Sequence, residues 1–154
     1  MTSRPRAVVI DMDGTLASVT WRLEHLQRPG RKDWKAFFAG MGRDAPVPWV
    51  VELTNADHGG AARIIVTGRP ADHREVCERW LATHGVSYDE LHLRPSGDFR
   101  PDDVVKREIH DHELAPRFDI SLVVDDRPRV VEMWRGLGYH VVVPTDPGLD
   151  PLDG

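Results

Sequence analysis

Val8-Val9-Ile10-Asp11-Met12-Asp13-Gly14-Thr15-Leu16 is a short apolar run that breaks into two carboxylates two residues apart. Val8 to Ile10 are β-branched and uninterrupted by polar residues, which suits a strand covered on both faces of a parallel sheet. Gly14 then permits a sharp turn. In open parallel α/β sheets, ligands bind outside the carboxyl ends of the strands, so Asp11 would sit where chemistry can occur. Asp and Gly also dominate ordinary turns. This stretch alone leaves both a catalytic loop and a plain polar turn open, and the other strands must decide.

Four further apolar runs follow: Arg63–Val66, Leu91–Arg94, Ile120–Val124 and Tyr139–Val143. Helical patterns separate them. Val47, Val50, Val51 and Leu53 mark a helix over Pro48–His58 that stops at Gly59-Gly60, and Cys77, Trp80, Leu81 and His84 mark one from about Asp72 to His84 that stops at Gly85. Another begins near Asp102-Asp103 with Lys106 in its second turn, and Val130, Met133, Trp134 and Leu137 form the inward face of a last one stopped by Gly138. This alternation predicts an α/β, doubly wound, mainly parallel sheet of the Rossmann-like type. Cys77 reads as a packing residue of its helix. Residues 17–48 break the alternation with charges, aromatics and Gly and no strand-like run, and read as a small insertion over the active-site edge. Within it Trp34, Phe37, Phe38 and Met41 share a helical face behind Asp33 as N-cap. That face is either core or a cleft wall that stacks on a base. The Pro/Asp/Gly-rich tail over 144–154 is expected to be loosely ordered.

At 154 residues the chain is expected to form one domain, 1–154, which buries roughly two thirds of its unfolded surface. No stretch approaches the roughly 20 apolar residues that span a bilayer, the N-terminus lacks the apolar core of a signal peptide, and Cys77 is the single cysteine, so the cytoplasm is the expected compartment. Net charge is −5. There is no global basic field for nucleic acid, so any polyanionic substrate must be held by local Arg and Lys.

Three of the apolar runs end in polar groups that suit phosphoryl transfer: Asp11 and Asp13, then Thr67 and Arg69, then Asp125 and Asp126. A parallel sheet gathers these ends on one edge. The clustered carboxylates repel one another and call for a hard cation with oxygen ligands, Mg²⁺ above all. Lys106 and Arg69 would add the positive charge that cradles a phosphate.

In this order, DxDGT, Thr67 in VTG, Lys106 and Asp125-Asp126 resemble the four motifs of the haloacid dehalogenase-like phosphotransferases. The resemblance implies Asp11 as nucleophile and Asp13 as acid and base, with Thr67, Gly68 and Lys106 on the phosphate. It implies Asp11, Asp126 and Asp125 at the metal, with Asp13 contributing its backbone carbonyl. Asp13 would need a raised pKa, from burial or nearby negative charge, to protonate the leaving oxygen. The insertion is too small for a full cap domain, which suggests an open site for a polymer end. The run Gly97-Asp98-x-Arg100-x-Asp102-Asp103-Val104-Val105-Lys106-x-Glu108-Ile109, with Asp125-Asp126-Arg127 and Val130 to Arg135, further resembles the 3′-phosphatase half of T-even phage polynucleotide kinase-phosphatases. That family implies hydrolysis of the 3′-phosphate of DNA or RNA ends in end repair, with 2′,3′-cyclic phosphate a further candidate. It also implies substrate contacts at Arg22, Arg69, Arg94 and Arg127. No G-x-x-x-x-G-K-[ST] phosphate loop occurs, so no kinase module is expected in this sequence, and a separate kinase or ligase is a candidate partner. The alternatives are a small-molecule nucleotidase of the same chemistry and a non-catalytic end-binding subunit.

Overall fold

A computed structural model of the chain describes residues 3–27, 30 and 32–144. The strands are β1 (Arg6–Ile10), β2 (Ala17–Ser18), β3 (Ala45–Pro46), β4 (Ala62–Pro70), β5 (Glu90–Arg94), β6 (Asp119–Val124) and β7 (Val141–Val142). The α-helices are α1 (Glu24–Gln27), α2 (Trp34–Ala39), α3 (Pro48–Asn55), α4 (Arg74–Thr83), α5 (Asp102–Ile109) and α6 (Pro128–Gly136). Five strands form one sheet in the order β5-β4-β1-β6-β7, and every pairing in it is parallel. The quoted stretch is therefore the central strand and the turn that follows it.

Alternate residues of each central strand face opposite sides, and both sides are apolar. Ile10, Ile65 and Val124 pack with Val50, Cys77, Trp80 and Leu81, which places α3 and α4 over one face. Val9, Ile64, Val66 and Val123 pack with Val105, Ile109, Val130 and Trp134, which places α5 and α6 over the other. A period of two with no polar face is what a strand buried on both sides requires. Cys77 is buried in the first of these clusters, as expected of a packing residue.

The boundaries differ from the sequence expectation in instructive ways. β4 runs on through Thr67 to Pro70, with an irregular register between Val66 and Pro70, so the second polar cluster lies on a strand rather than in a loop. β7 is only two residues long, and α3 stops at Asn55. The insertion does contain strands: β2 and β3 form an antiparallel pair, and Val47 N–H donates to Leu16 O at 2.8 Å to anchor it. Two-residue strands have no sequence period, so only their tertiary pairing defines them. α2 begins at the expected cap, where Asp33 Oδ1 accepts from Ala36 N–H at 3.0 Å. Phe37 and Met41 are buried while Trp34 is 46 % exposed, so the aromatic face is split between core and surface. The tail expected over 144–154 lies, beyond Pro144, outside the described residues. Among those described, no helix is long and apolar enough to cross a membrane.

Candidate active site

β1 and β6 are adjacent and parallel, so the residues that follow them emerge side by side. Asp11 N–H donates to Val124 O at 2.9 Å, which continues the ladder by one residue and fixes where Asp11 projects. Its Oδ1 accepts from Lys106 Nζ at 2.8 Å and its Oδ2 from the Thr15 hydroxyl at 3.2 Å. Lys106 is buried on α5 and donates equally to Asp125 Oδ2 at 2.8 Å. Trp134 Nε1 reaches the same oxygen at 3.4 Å. The same Thr15 hydroxyl lies 3.3 Å from Asp126 Oδ1, so its single proton is shared between the two carboxylates. Gly14 has a φ of +76°, and a Cβ on it would lie 2.1 Å from Asp126 Oδ2. Only glycine lets the first loop lie against the last carboxylate.

Asp11, Asp125 and Asp126 present oxygens within 4.8 Å of one another. Burial and the neighbouring Asp125 raise Asp11 well above its ordinary value. The same two causes push Asp126 up to about 6. Lys106 offsets one negative charge of the three, and the remainder matches a divalent cation held by hard oxygen donors.

Asp13 faces a different environment. Its Oδ1 accepts from Arg69 Nε at 2.9 Å and Nη2 at 2.5 Å, and from Arg22 Nη2 at 3.2 Å. Burial pushes the Asp13 carboxyl up, but Arg69 and then Arg22 outweigh it and hold the group below its ordinary value. The raised pKa anticipated for Asp13 is thus absent in the free site, because the insertion and β4 each bring a guanidinium to it.

With this geometry in view, the model of the polynucleotide kinase PNKP phosphatase domain matches residues 5–146. The chain belongs to that family. The PNKP-type phosphatase domain also aligns with a bifunctional polynucleotide kinase/RNA ligase of Autographa californica nuclear polyhedrosis virus, 26 % identical over 90 % of this chain and 19 % of the viral protein. It superimposes on a chain of a Pnkp1/Rnl/Hen1 complex with a TM-score of 0.79 and 31 % identity, covering 94 % of this chain and 47 % of the other. It therefore spans less than half the length of either relative. A haloacid dehalogenase-like protein from Streptococcus pneumoniae shares the fold, with a TM-score of 0.55 at 14 % identity over 90 % of this chain and 84 % of the other. The PNKP-type domain is a phosphoric monoester hydrolase with a parallel α/β architecture.

Most of the residues singled out from sequence converge on one sheet edge of this PNKP-type domain. Thr67 is buried within β4, where its Oγ1 accepts from Arg69 N–H at 3.2 Å. Gly68 O accepts from Arg94 Nε at 2.8 Å. The four arginines differ in what they leave free. Arg22 is fully buried and donates to Asp44 through Nε at 2.7 Å and Nη2 at 2.6 Å, and to Phe37 O at 2.8 Å. Arg69 is equally buried and turns inward to Asp13, Asp44 and Cys77. Arg94 donates to the carbonyls of Asp98 and Arg100 and to the Asp102 carboxylate, and is half-buried. Arg127 has a side chain 60 % exposed, and one of its ends rests on Asp102 Oδ2 at 2.6 Å.

Three residues escaped the sequence reading. Thr15 lies within the first motif and could have been found there. Asp102 precedes Lys106 by one helical turn on α5 and joins Arg94, Arg127 and, by close approach, Gly68. Asp102 stands in the run that carries the family resemblance, but an Asp in the first turn of a helix is so common that it was given no role. Asp44 has no local signal at all.

Proposed function

We propose that this domain removes the 3′-phosphate from DNA or RNA ends through an aspartyl-phosphate on Asp11, with Mg²⁺ as cofactor. The observation that carries the reading is the segregation of two carboxylates two residues apart. Asp11 faces Lys106, Thr15 and the Asp125–Asp126 pair, while Asp13 faces arginines. In this reading Asp11 attacks phosphorus, the bond from phosphorus to the ribose oxygen breaks, and Asp13 gives that oxygen its proton. Asp13 then takes a proton from the water that attacks the phosphorylated Asp11, which releases phosphate, returns Asp11 to a carboxylate and leaves Asp13 protonated as at the start of the first step. The dianionic phosphate beside Asp13 supplies the negative charge that lifts its pKa for the first step. Lys106, Thr67 and Gly68 would bind the phosphate oxygens. Mg²⁺, held by Asp11, Asp125, Asp126 and the carbonyl of Asp13, would neutralise the carboxylates and the charge on the transferring group.

Arg127 is the arginine best placed to meet the polymer, because it is exposed at the same edge. Arg94 shapes the loop beneath it. The relatives named for a kinase, a ligase or an RNA repair complex support a place beside a kinase or ligase module and make RNA ends the first substrates to test. The buried thiol of Cys77, the single cysteine, suits the reducing cytoplasm. The decisive assay measures phosphate release from oligonucleotides with 3′-phosphate, 5′-phosphate and 2′,3′-cyclic ends and from mononucleotides. The 3′-phosphate oligonucleotide is expected to give the highest kcat/KM. Preference for mononucleotides would move the reading to a nucleotidase.

A further inference from the structure

Arg22 and Arg69 come from distant parts of the chain and meet on one oxygen of Asp13, and a single carboxylate organises both. Asp44 is fully buried. Its Oδ1 accepts from Arg22 Nε at 2.7 Å and Trp21 Nε1 at 2.9 Å, and its Oδ2 from Arg22 Nη2 at 2.6 Å and Arg69 Nη2 at 3.1 Å. Its backbone carbonyl accepts from Trp80 Nε1 on α4 at 2.8 Å. The two arginines and two aspartates form a closed quartet with balanced charge. All the guanidinium bonds that reach Asp13 fall on Oδ1.

We infer that Asp44 is a positioning residue for proton transfer: it clamps Arg22 and Arg69 so that both engage one oxygen of Asp13 and the other oxygen faces the leaving group. The inference rests on the reading of Asp13 as acid and base given above. Without the Asp44 charge, two guanidinium groups would share one carboxylate. They would then be free to rotate it or to leave it for the substrate phosphate. Asp44 immediately precedes β3, so the small insertion supplies both Arg22 and the carboxylate that holds it. In that arrangement Arg22 and Arg69 act on Asp13 and do not hold the polymer.

The test uses a series of aryl phosphates of similar size, from phenyl phosphate with a poor leaving group to dinitrophenyl phosphate with a good one. The parent protein is compared with Asp13→Asn and Asp44→Asn, each with Mg²⁺. General acid catalysis contributes most when the leaving group is poor, by about 10²- to 10⁴-fold. Asp44→Asn should therefore lower kcat/KM about 30-fold or more on phenyl phosphate and within about 3-fold on the dinitrophenyl ester, in the same sense as Asp13→Asn. Equal losses of Asp44→Asn across the series, with Asp13→Asn steepening it, would overturn the role of Asp44 alone. A flat response of Asp13→Asn would overturn the acid–base reading, and the inference with it. If Asp44→Asn does not fold, Arg22→Lys carries the same test. It keeps the buried charge but cannot span both carboxylates, and a selective loss on poor leaving groups is again expected, with a uniform loss counting against the clamp.

Discussion

Asp11 is held at a cost to the fold. Burial and Asp125 raise its pKa, so the ionised side chain destabilises the metal-free protein, as functional carboxylates commonly do. Asp11→Asn keeps the shape and removes the charge. We expect turnover to fall by at least about 10³-fold, because the nucleophile of the proposed mechanism is lost. The melting temperature at pH 7 without metal should be unchanged or higher. A normal turnover number for this variant would rule out the covalent mechanism, and a collapse of its melting temperature would show Asp11 to be structural. The sign of the pH effect follows from the same pair. A carboxyl raised in the folded state stabilises it while protonated, fully below the ordinary aspartate value, and this is lost as pH rises through about 6 for Asp126. A cation needs the ionised forms. Mg²⁺ should therefore raise the melting temperature more at pH 7 than at pH 5, measured by calorimetry with and without the ion. An equal rise at both pH values would place the metal elsewhere.

Two elements meet at Gly68. A Cβ there would lie 2.4 Å from Asp102 Oδ1, so β4 touches the first residue of α5 directly. Gly68 does not have a positive φ, so the obstacle to a side chain is the neighbour rather than the backbone. Gly68→Ala is expected to push Asp102 off Arg94 and Arg127 and to lower activity at least about 10-fold, while costing no more than about 1–3 kcal/mol of stability as a local overpacking. Activity assays paired with denaturant unfolding would check this, and a variant with full activity would show that Asp102 is free to move. These contacts illustrate what periodicity can and cannot reveal. The strand-and-helix alternation was legible because Val8 to Ile10 form an unbroken β-branched run, while Val130, Met133, Trp134 and Leu137 repeat at the helical period. The extension of β4 through Thr67 to Pro70 was not, since polar residues on a strand end carry no hydrophobic period.

For the whole molecule, a net charge of −5 and a carboxylate-lined centre repel a nucleic-acid strand, so attraction must be local. Arg127 is exposed, whereas Arg94 is half-buried and bonded to the Asp98 and Arg100 carbonyls and to Asp102, so their variants should behave differently. Arg127→Ala is expected to lower kcat/KM on an oligonucleotide 3′-phosphate about 10- to 100-fold, the loss of roughly 1.5–3 kcal/mol, and to spare an aryl phosphate. Arg94→Ala should lower both substrates together and reduce stability. Parallel kinetics on the two substrates check this, and identical profiles for the two variants would refute the division of labour. The sequence alone showed the alternation of strands and helices and put Asp11, Asp13, Thr67, Asp125 and Asp126 at strand ends and Lys106 on a helix, because local hydrophobic period and short motifs encode strand ends and what stands on them, while the order of the strands came from the fold. Only the tertiary structure decided that Arg22 and Arg69 turn inward to Asp13, that both bond to Asp44, and that Asp102 joins the outer arginines. A charged side chain's partner depends on which carboxylate the fold places within hydrogen-bond reach, and Arg22 with Asp44, or Arg69 with Asp13, are brought together by packing that no local pattern records.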